Sequence, residues 1–307
     1  MIHHVFANRS NLGDWLSAQG IQALLGARDV VEHLCDEPFV PDTLKRLHAA
    51  GPDDLIVIGG GGLFMDYFVP FWEGFLSIAV RVPFCIWGVG VCDAVSRPTC
   101  APAALLEEVV RRSCCCVVRD DLTRRLLRRC DLQDAVPCPS IVTLSSMPLG
   151  RGLLHVDHLD VVGPVAYDVL VTAGRQYAAM TGRPYRQTNN RIRSGNASDL
   201  RATLDLYAQS DLVLSARLHG CVISVAMGRK VLAISADRKV RSFMEAAGLG
   251  QWVCDPRDID TLIDRLATLS SQAPPTEFVE HARRANHAVA EQLTAIAAVL
   301  GHRPSFS

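Results

Sequence analysis

The 307-residue sequence predicts an α/β protein with parallel sheets, divided into two halves. Three observations carry this reading. Short apolar runs alternate with longer segments whose apolar residues recur at helical spacing, as when parallel strands are joined by crossover helices. A chain of this length with 49% hydrophobic residues can bury a large core and favours two domains over one. Between Pro137 and Gly152 the periodicity is interrupted by Pro137, Pro139, Pro148, Gly150, Gly152 and several serines, which places the boundary between 1–148 and 149–307.

Taken in order, Ile2 to Phe6 reads as a first strand, and Asn11 to Leu25 as a turn and helix with Trp15, Leu16, Ile21, Leu24 and Leu25 on its apolar side. Either Asn11 or Asp14 could cap that helix. Leu55 to Ile58 is a strand running directly into Gly59 to Gly62. Such a run suits a backbone that approaches a ligand or a neighbouring chain closely, or equally a tight strand-to-helix turn. Phe84 to Trp87 and Cys115 to Val118 are further strands. The next helix should turn Leu122, Leu126 and Leu127 inward and Arg124, Arg125, Arg128 and Arg129 outward, a solvated face that an anionic membrane surface could also attract. In the second half, Leu153 to Val156 and Tyr185 to Gln187 read as strands, and Pro164 to Met180 and Ala197 to Ala208 as helices. Ile259 to Leu269 and Glu277 to Leu300 are two closing helices.

The segment from Asp211 to Lys239 is the densest in chemistry. Leu212 to Leu214 is a strand, Ser215 is a suitable cap for a helix carrying Val222, Ile223, Val225, Ala226 and Met227, and Gly228 can close that helix. Val231 to Ile234 is the next strand, ending at Asp237-Arg238-Lys239. Arg217 and His219 then fall in a first helical turn, where free N–H groups and the helix dipole favour an anion and a guanidinium can fork onto a carboxylate or phosphate. In a parallel sheet both cationic turns open on the carboxyl edge, where ligands of open α/β sheets bind. An ordinary βαβ unit with solvated charges would look the same in sequence.

Several classes are excluded or disfavoured. After Gly60 the third glycine of a dinucleotide motif would fall on Phe64 or Met65, no P-loop lysine follows, and Gly88-Val89-Gly90 meets Asp93 at its third position. No G-x-S-x-G elbow occurs. In His155-Val156-Asp157-His158, strand alternation puts His155 and Asp157 on one face and His158 on the other, with no third spaced ligand, so no metal site is expected. The 11 cysteines form no CxxC pair and should be reduced, buried thiols, including Cys114-Cys115-Cys116 in an apolar run. A net charge of −1 gives no reason to expect nucleic acid. With no apolar run of roughly 18 residues and no signal-peptide pattern at the start, a cytoplasmic protein is expected.

Four motifs recur in a fixed order: Asn11-Leu12-Gly13-Asp14, Asp54-Leu55-Ile56-Val57-Ile58-Gly59-Gly60-Gly61-Gly62, Val118-Arg119-Asp120-Asp121 and Ser215-Ala216-Arg217-Leu218-His219-Gly220. In this order the chain resembles the polysaccharide pyruvyl transferase family. The resemblance implies two Rossmann-like domains facing across a cleft, similar to GT-B glycosyltransferases, with the last helix returning to the first domain. It also implies transfer of pyruvate from phosphoenolpyruvate to sugar hydroxyls, with no cofactor besides this donor substrate. Arg119 from one wall and Arg217 and Lys239 from the other would hold the donor, whose carboxylate and phosphate need cationic partners once desolvated. A salt bridge to Asp120 or Asp121 is the alternative for Arg119. His219 is the candidate proton carrier, in a direction the sequence leaves open, or else a purely anion-binding group. Asn11 and Asp14 fall on the acceptor side, with Gly60 and Gly61 lining the cleft. Two departures bear on acceptor choice: His155-Val156-Asp157-His158 stands where the family often has an arginine, and Cys138-Pro139-Ser140 replaces its Asp-Pro. The expected partner is a sugar or glycan acceptor, and a lipid-linked one would bring the protein to the inner membrane face. A nucleotide-sugar glycosyltransferase would share the fold but bind UDP or GDP, and a non-catalytic anion-binding or sugar-binding protein would keep Arg217 without depending on His219.

Overall fold

The computed structural model describes residues 1–26, 29–94, 97–130, 132, 135–274 and 277–299. The N-terminal half comprises β1 (Ile2–Phe6), α1 (Leu12–Leu25), β2 (Val30–Leu34), α2 (Val40–His48), β3 (Leu55–Gly59), α3 (Val69–Phe75), β4 (Phe84–Val89), a short ribbon of β5 (Asp93–Ala94) and β6 (Arg97–Pro98), α4 (Ala103–Arg112), β7 (Cys115–Val118) and α5 (Asp121–Leu126). The C-terminal half comprises β8 (Leu153–Val156), α6 (Leu159–Val162), α7 (Pro164–Met180), β9 (Tyr185–Thr188), α8 (Ala197–Ala208), β10 (Leu212–Ser215), α9 (Leu218–Ala226), β11 (Lys230–Ile234), α10 (Arg238–Ala246), β12 (Val253–Cys254), α11 (Leu262–Ser270) and α12 (Glu277–Val299).

Each half holds one five-stranded sheet, β2-β1-β3-β4-β7 and β9-β8-β10-β11-β12, in which every pair is parallel. The two orders are the same once strands are counted within each half, and both halves are Rossmann-like. In each sheet the direction of winding reverses beside the first strand, between β1 and β3 and between β8 and β10. A crevice opens beyond the strand ends at such a reversal, so topology alone fixes where a site can form. The strands there are buried throughout, as β3 (LIVIG) and β10 (LVLS) show, which is why they read as continuous apolar runs.

The halves are joined by more than the 137–152 connection. Leu12 N donates to Asn190 O (2.9 Å) and Ile192 N to Ser10 O (2.7 Å), while Leu12, Trp15 and Leu16 of α1 belong to the C-terminal core. α12 lies on the N-terminal sheet: Val289, Ala290, Leu293 and Ala297 pack with Ile2, Leu55, Val57 and Trp87. Buried Asn286 fixes it there, accepting from Trp87 Nε1 (3.0 Å) and donating to Pro137 O (2.9 Å).

Three local expectations change. The helix after β7 starts behind its cap Asp120 (Thr123 N to Oδ1, 2.8 Å) and ends at Leu126, where the chain tightens into a 3₁₀ turn at Arg128–Cys130. Leu122 and Leu127 do pack on the N-terminal core, with Thr123 buried beside them, whereas Leu126 is 38% exposed. Ser215 ends β10 instead of capping α9: its Oγ accepts from Arg217 N (3.1 Å) and donates to Arg217 O (2.9 Å), pinning the turn and leaving Arg217 at the cap position. The cysteines are all free but not all buried, since Cys114 is exposed in the loop before β7 and Cys100, Cys116 and Cys130 are half-buried. α9 does close at Gly228, whose φ is 73°. The last helix runs to Val299, and Leu300 lies outside the described residues. Among the described residues no helix is long and apolar enough to cross a membrane.

Candidate active site

The two crevices face each other and form one cleft of ≈ 430 Å³. Asn11, Asp14 and Arg119 line it from the N-terminal half, and Arg217, His219 and Lys239 from the C-terminal half. Six of the eight residues singled out in the sequence thus meet at one place. Gly60 and Gly61 do not line it; they lie behind α1, and Gly62 reaches the cleft instead.

On the N-terminal wall, Asn11 caps α1 by accepting from Gly13 N (3.0 Å), which settles the choice of cap and leaves Asp14 in the first turn. Asp14 is 9% exposed, opens on the cleft, and its carboxyl has no hydrogen-bond or ion-pair partner among the described residues. Gly60 and Gly61 have φ of 81° and 88°, and a Cβ on either would collide with Ser17 or with Asp14 Oδ1. The glycine run is therefore required by α1 pressing on the end of β3. Arg119, at the end of β7, is 5% exposed. Its Nε donates to Asp120 Oδ2 (2.7 Å), Nη2 to Val91 O (2.6 Å) and Nη1 to Gly61 O (3.5 Å). The salt bridge to Asp120 is thus formed, and the guanidinium still reaches the cleft. A second cavity of ≈ 280 Å³ lies on the other side of Arg119, between α5, α10 and α12.

On the C-terminal wall, Arg217 Nε donates to Asp157 O (2.7 Å), which orients the side chain from the end of β10 across the end of β8. His219 stands in the first turn of α9 with its ring against Gly13, where a Cβ would collide with the imidazole, and with Nε2 3.4 Å from Ser17 Oγ. Lys239 stands in the first turn of α10, capped by Asp237, with Nζ 2.9 Å from Asp237 Oδ2 and 2.9 Å from Cys92 Sγ. Each cation of the cleft therefore has its own anchor.

The walls shift each other's protonation. Burial raises Asp14 to about 7 against the pull of Lys239 and Arg119, with Asp36 adding to the rise and Arg217 opposing it. Burial, then the positive charges of Arg119, Lys239 and Arg217, lower His219 to about 3, so the imidazole is neutral near neutral pH. Burial works against the charge of Arg119, but Asp120 holds it above the ordinary guanidinium range; Lys239 is likewise raised, burial being outweighed by Cys92 and Asp237.

The sequence reading passed over Gly13, Ser17 and Cys92. Gly13 lies inside a motif it did quote, and an invaded helix start is the signal that could have flagged it. Cys92 meets Lys239 across 147 residues of chain, which no local pattern announces. His155 turns away from the cleft, its Nδ1 2.9 Å from Tyr185 Oη, whereas His158 lines it. Among the described residues no three His, Cys, Asp or Glu side chains group to hold a metal ion.

A model of the polysaccharide pyruvyl transferase family matches residues 11–238. No curated protein matches the sequence. Among solved structures, UDP-GlcNAc 2-epimerase of Methanocaldococcus jannaschii, in complex with UDP-GlcNAc and UDP, is similar at a TM-score of 0.58 and 10% identity, covering 96% of this chain and 99% of that one. MnaA of S. aureus with UDP gives a TM-score of 0.58 at 10% identity, covering 99% and 98%. UDP-GlcNAc 2-epimerase of Neisseria meningitidis gives 0.53 at 10% identity, covering 96% and 99%. At these identities the likeness concerns the two-domain, GT-B-type fold alone.

Proposed function

The chain belongs to the polysaccharide pyruvyl transferase family, and from that premise we propose that it moves pyruvate from phosphoenolpyruvate to a sugar hydroxyl of a glycan or glycan precursor, closing a cyclic ketal with a second hydroxyl. The observation that carries the donor assignment is the convergence of Arg119, Arg217 and Lys239 around His219 in one cleft. Phosphoenolpyruvate carries a carboxylate and a phosphate, and desolvating both requires fixed cations. Lys239 comes from a first helical turn and Arg217 from the cap position before one, where backbone N–H groups add to the attraction. Arg119 supplies charge from the opposite wall without moving, because Asp120 and two carbonyls hold it.

In this reading protonation of the methylene carbon makes C2 of the donor electrophilic, a sugar hydroxyl adds there, and phosphate leaves. His219 is neutral before the donor binds and so can accept the proton of the incoming hydroxyl, and the negative charges of bound phosphoenolpyruvate offset the cations that disfavour the imidazolium formed. The acceptor sugar enters from the side of Asn11, and His158 and Arg191 also face that space.

Calorimetry of phosphoenolpyruvate against UDP-sugar and GDP-sugar tests the donor without knowledge of the acceptor. Wild-type protein should bind phosphoenolpyruvate selectively, and Arg217→Ala and Lys239→Ala should each weaken binding about tenfold or more, the value of a lost charge-assisted hydrogen bond. Binding of a nucleotide sugar with no response to phosphoenolpyruvate would replace this reading by a glycosyltransferase.

A further inference from the structure

A pyruvyl transfer of this kind needs an acid as well as a base, and the cleft holds a group that the reading above leaves without a task. Asp14 is nine-tenths buried, opens on the cleft and has no hydrogen-bond or ion-pair partner among the described residues. The capping role that would have explained an acid in a first helical turn belongs to Asn11. The groups that act on Asp14 are Cys35, Asp36 and Arg119 from its own half and Lys239 and Arg217 from the facing half, and His219 shares the cleft with it. Gly13, the residue before it, is in contact with the His219 ring, and Asp14 and His219 line the same cleft from opposite walls.

Resting on the donor assignment above, we propose that Asp14 is the acid that protonates the methylene carbon of phosphoenolpyruvate, dividing the proton transfers with His219. The protons balance. Asp14 gives its proton to C3, and the oxygen of the first hydroxyl bonds to C2 while its proton passes to His219. The C2–O bond to phosphate then breaks, and phosphate leaves with the proton held by His219. The second hydroxyl bonds to C2 and returns its proton to Asp14. Two hydroxyl protons are lost in all; one ends in the new methyl group and one on phosphate, and both residues finish as they began. Burial keeps Asp14 protonated in a large share of molecules near neutral pH, and a bound phosphate and carboxylate raise that share by adding negative charge beside it.

The test is exchange of the vinyl hydrogens of phosphoenolpyruvate in D2O, followed by NMR with glycerol supplying hydroxyls, on wild-type protein and on Asp14→Asn. Calorimetry of phosphoenolpyruvate binding is run on both. Asp14→Asn keeps the shape and removes negative charge beside three cations, so binding should hold or tighten while exchange slows about 10²-fold or more, the usual contribution of a general acid. Exchange within a few-fold of wild type in Asp14→Asn overturns the assignment. So does a wild type that binds phosphoenolpyruvate without exchange, or a folded Asp14→Asn that no longer binds it; in each of these the donor reading stands. A wild type that does not bind phosphoenolpyruvate removes the donor reading, and this assignment with it.

Discussion

On the C-terminal wall the charged groups stand at the starts of helices, half open to the cleft, whereas on the N-terminal wall the cation is buried behind a helix and the group in the first turn is an acid. Both walls use the same strand order and the same crevice. Topology therefore decides where the walls meet, and the residues of the first turns decide their charge. Arg217 and Lys239 keep their charge at the cleft through one or two anchors each. Arg119 is shared between Asp120, Val91 and Gly61, and so holds three loops of its own domain together. In sequence the two arginines look alike, each directly after a strand. In the structure one is a hub of the fold and the other an arm laid across the end of β8.

That contrast can be broken most sharply by stability measurements. Arg119→Ala leaves Asp120 buried beside an emptied space, and removing one partner of a buried pair costs about 3–5 kcal/mol. Arg217→Ala loses a charged hydrogen bond to a carbonyl at the cleft edge, worth about 1.5–3 kcal/mol. Urea denaturation should find Arg119→Ala the less stable variant, by about 2 kcal/mol at the midpoints of those ranges. Equal losses would mean that the hub and the arm are not distinct.

The second contrast concerns the backbone under each wall. Gly61 supports Asp14 at a φ of 88°, and alanine there combines a left-handed backbone with a collision against the carboxylate. Gly61→Ala should cost about 1–3 kcal/mol from strain alone and displace Asp14 into the cleft. On the facing wall Gly220 has an ordinary φ, so no backbone strain arises, although a Cβ there would meet Ser215 Oγ and crowd Ser215 Cβ and Val156 Cγ1. Gly220→Ala should therefore be the milder of the pair, although it disturbs the turn that carries Arg217. Thermal unfolding of both variants checks the order, and a reversal would show that the N-terminal wall is the more yielding one.

How much of this was legible follows from how local each feature is. The buried central strands spell themselves as apolar runs, and Arg119, Arg217 and Lys239 follow strands so closely that a parallel sheet must bring them to one edge. The edge strand β2, with the sequence VVEHL and mostly half-buried, has a mixed pattern that local reading does not distinguish from a loop, and β12 is only two residues long. The purpose of Gly60 and Gly61 was hidden because the helix pressing on them lies more than 40 residues earlier. The choice between Asn11 and Asp14 as cap could not be made from residue types, since both are good caps. The backbone decides it: Asn11 is extended at a φ of −106° and the helix begins at Leu12.

The smallest expected effect, taken per pH unit, is also the most specific to the pairing of the walls. Asp14 holds its proton more tightly in the folded protein, at about 7 against an ordinary 3.8, so between these values the folded state binds more protons and Asp14 makes stability fall as pH rises. His219 is the reverse: about 3 when folded against an ordinary 6.5, so the unfolded state binds more protons and stability falls as pH drops from about 6.5 towards 3. Over the shared window the two slopes oppose each other, each at most about 1.4 kcal/mol per pH unit. Comparing unfolding free energies of Asp14→Asn and His219→Gln with wild type across pH 4–7, the window those values define, should give difference curves of opposite sign. Asp14→Asn should gain on wild type as pH rises, and His219→Gln should gain as pH falls. Two curves of the same sign would mean that the walls do not hold an acid and a neutral base face to face, and the division of protons between them would lose its electrostatic basis.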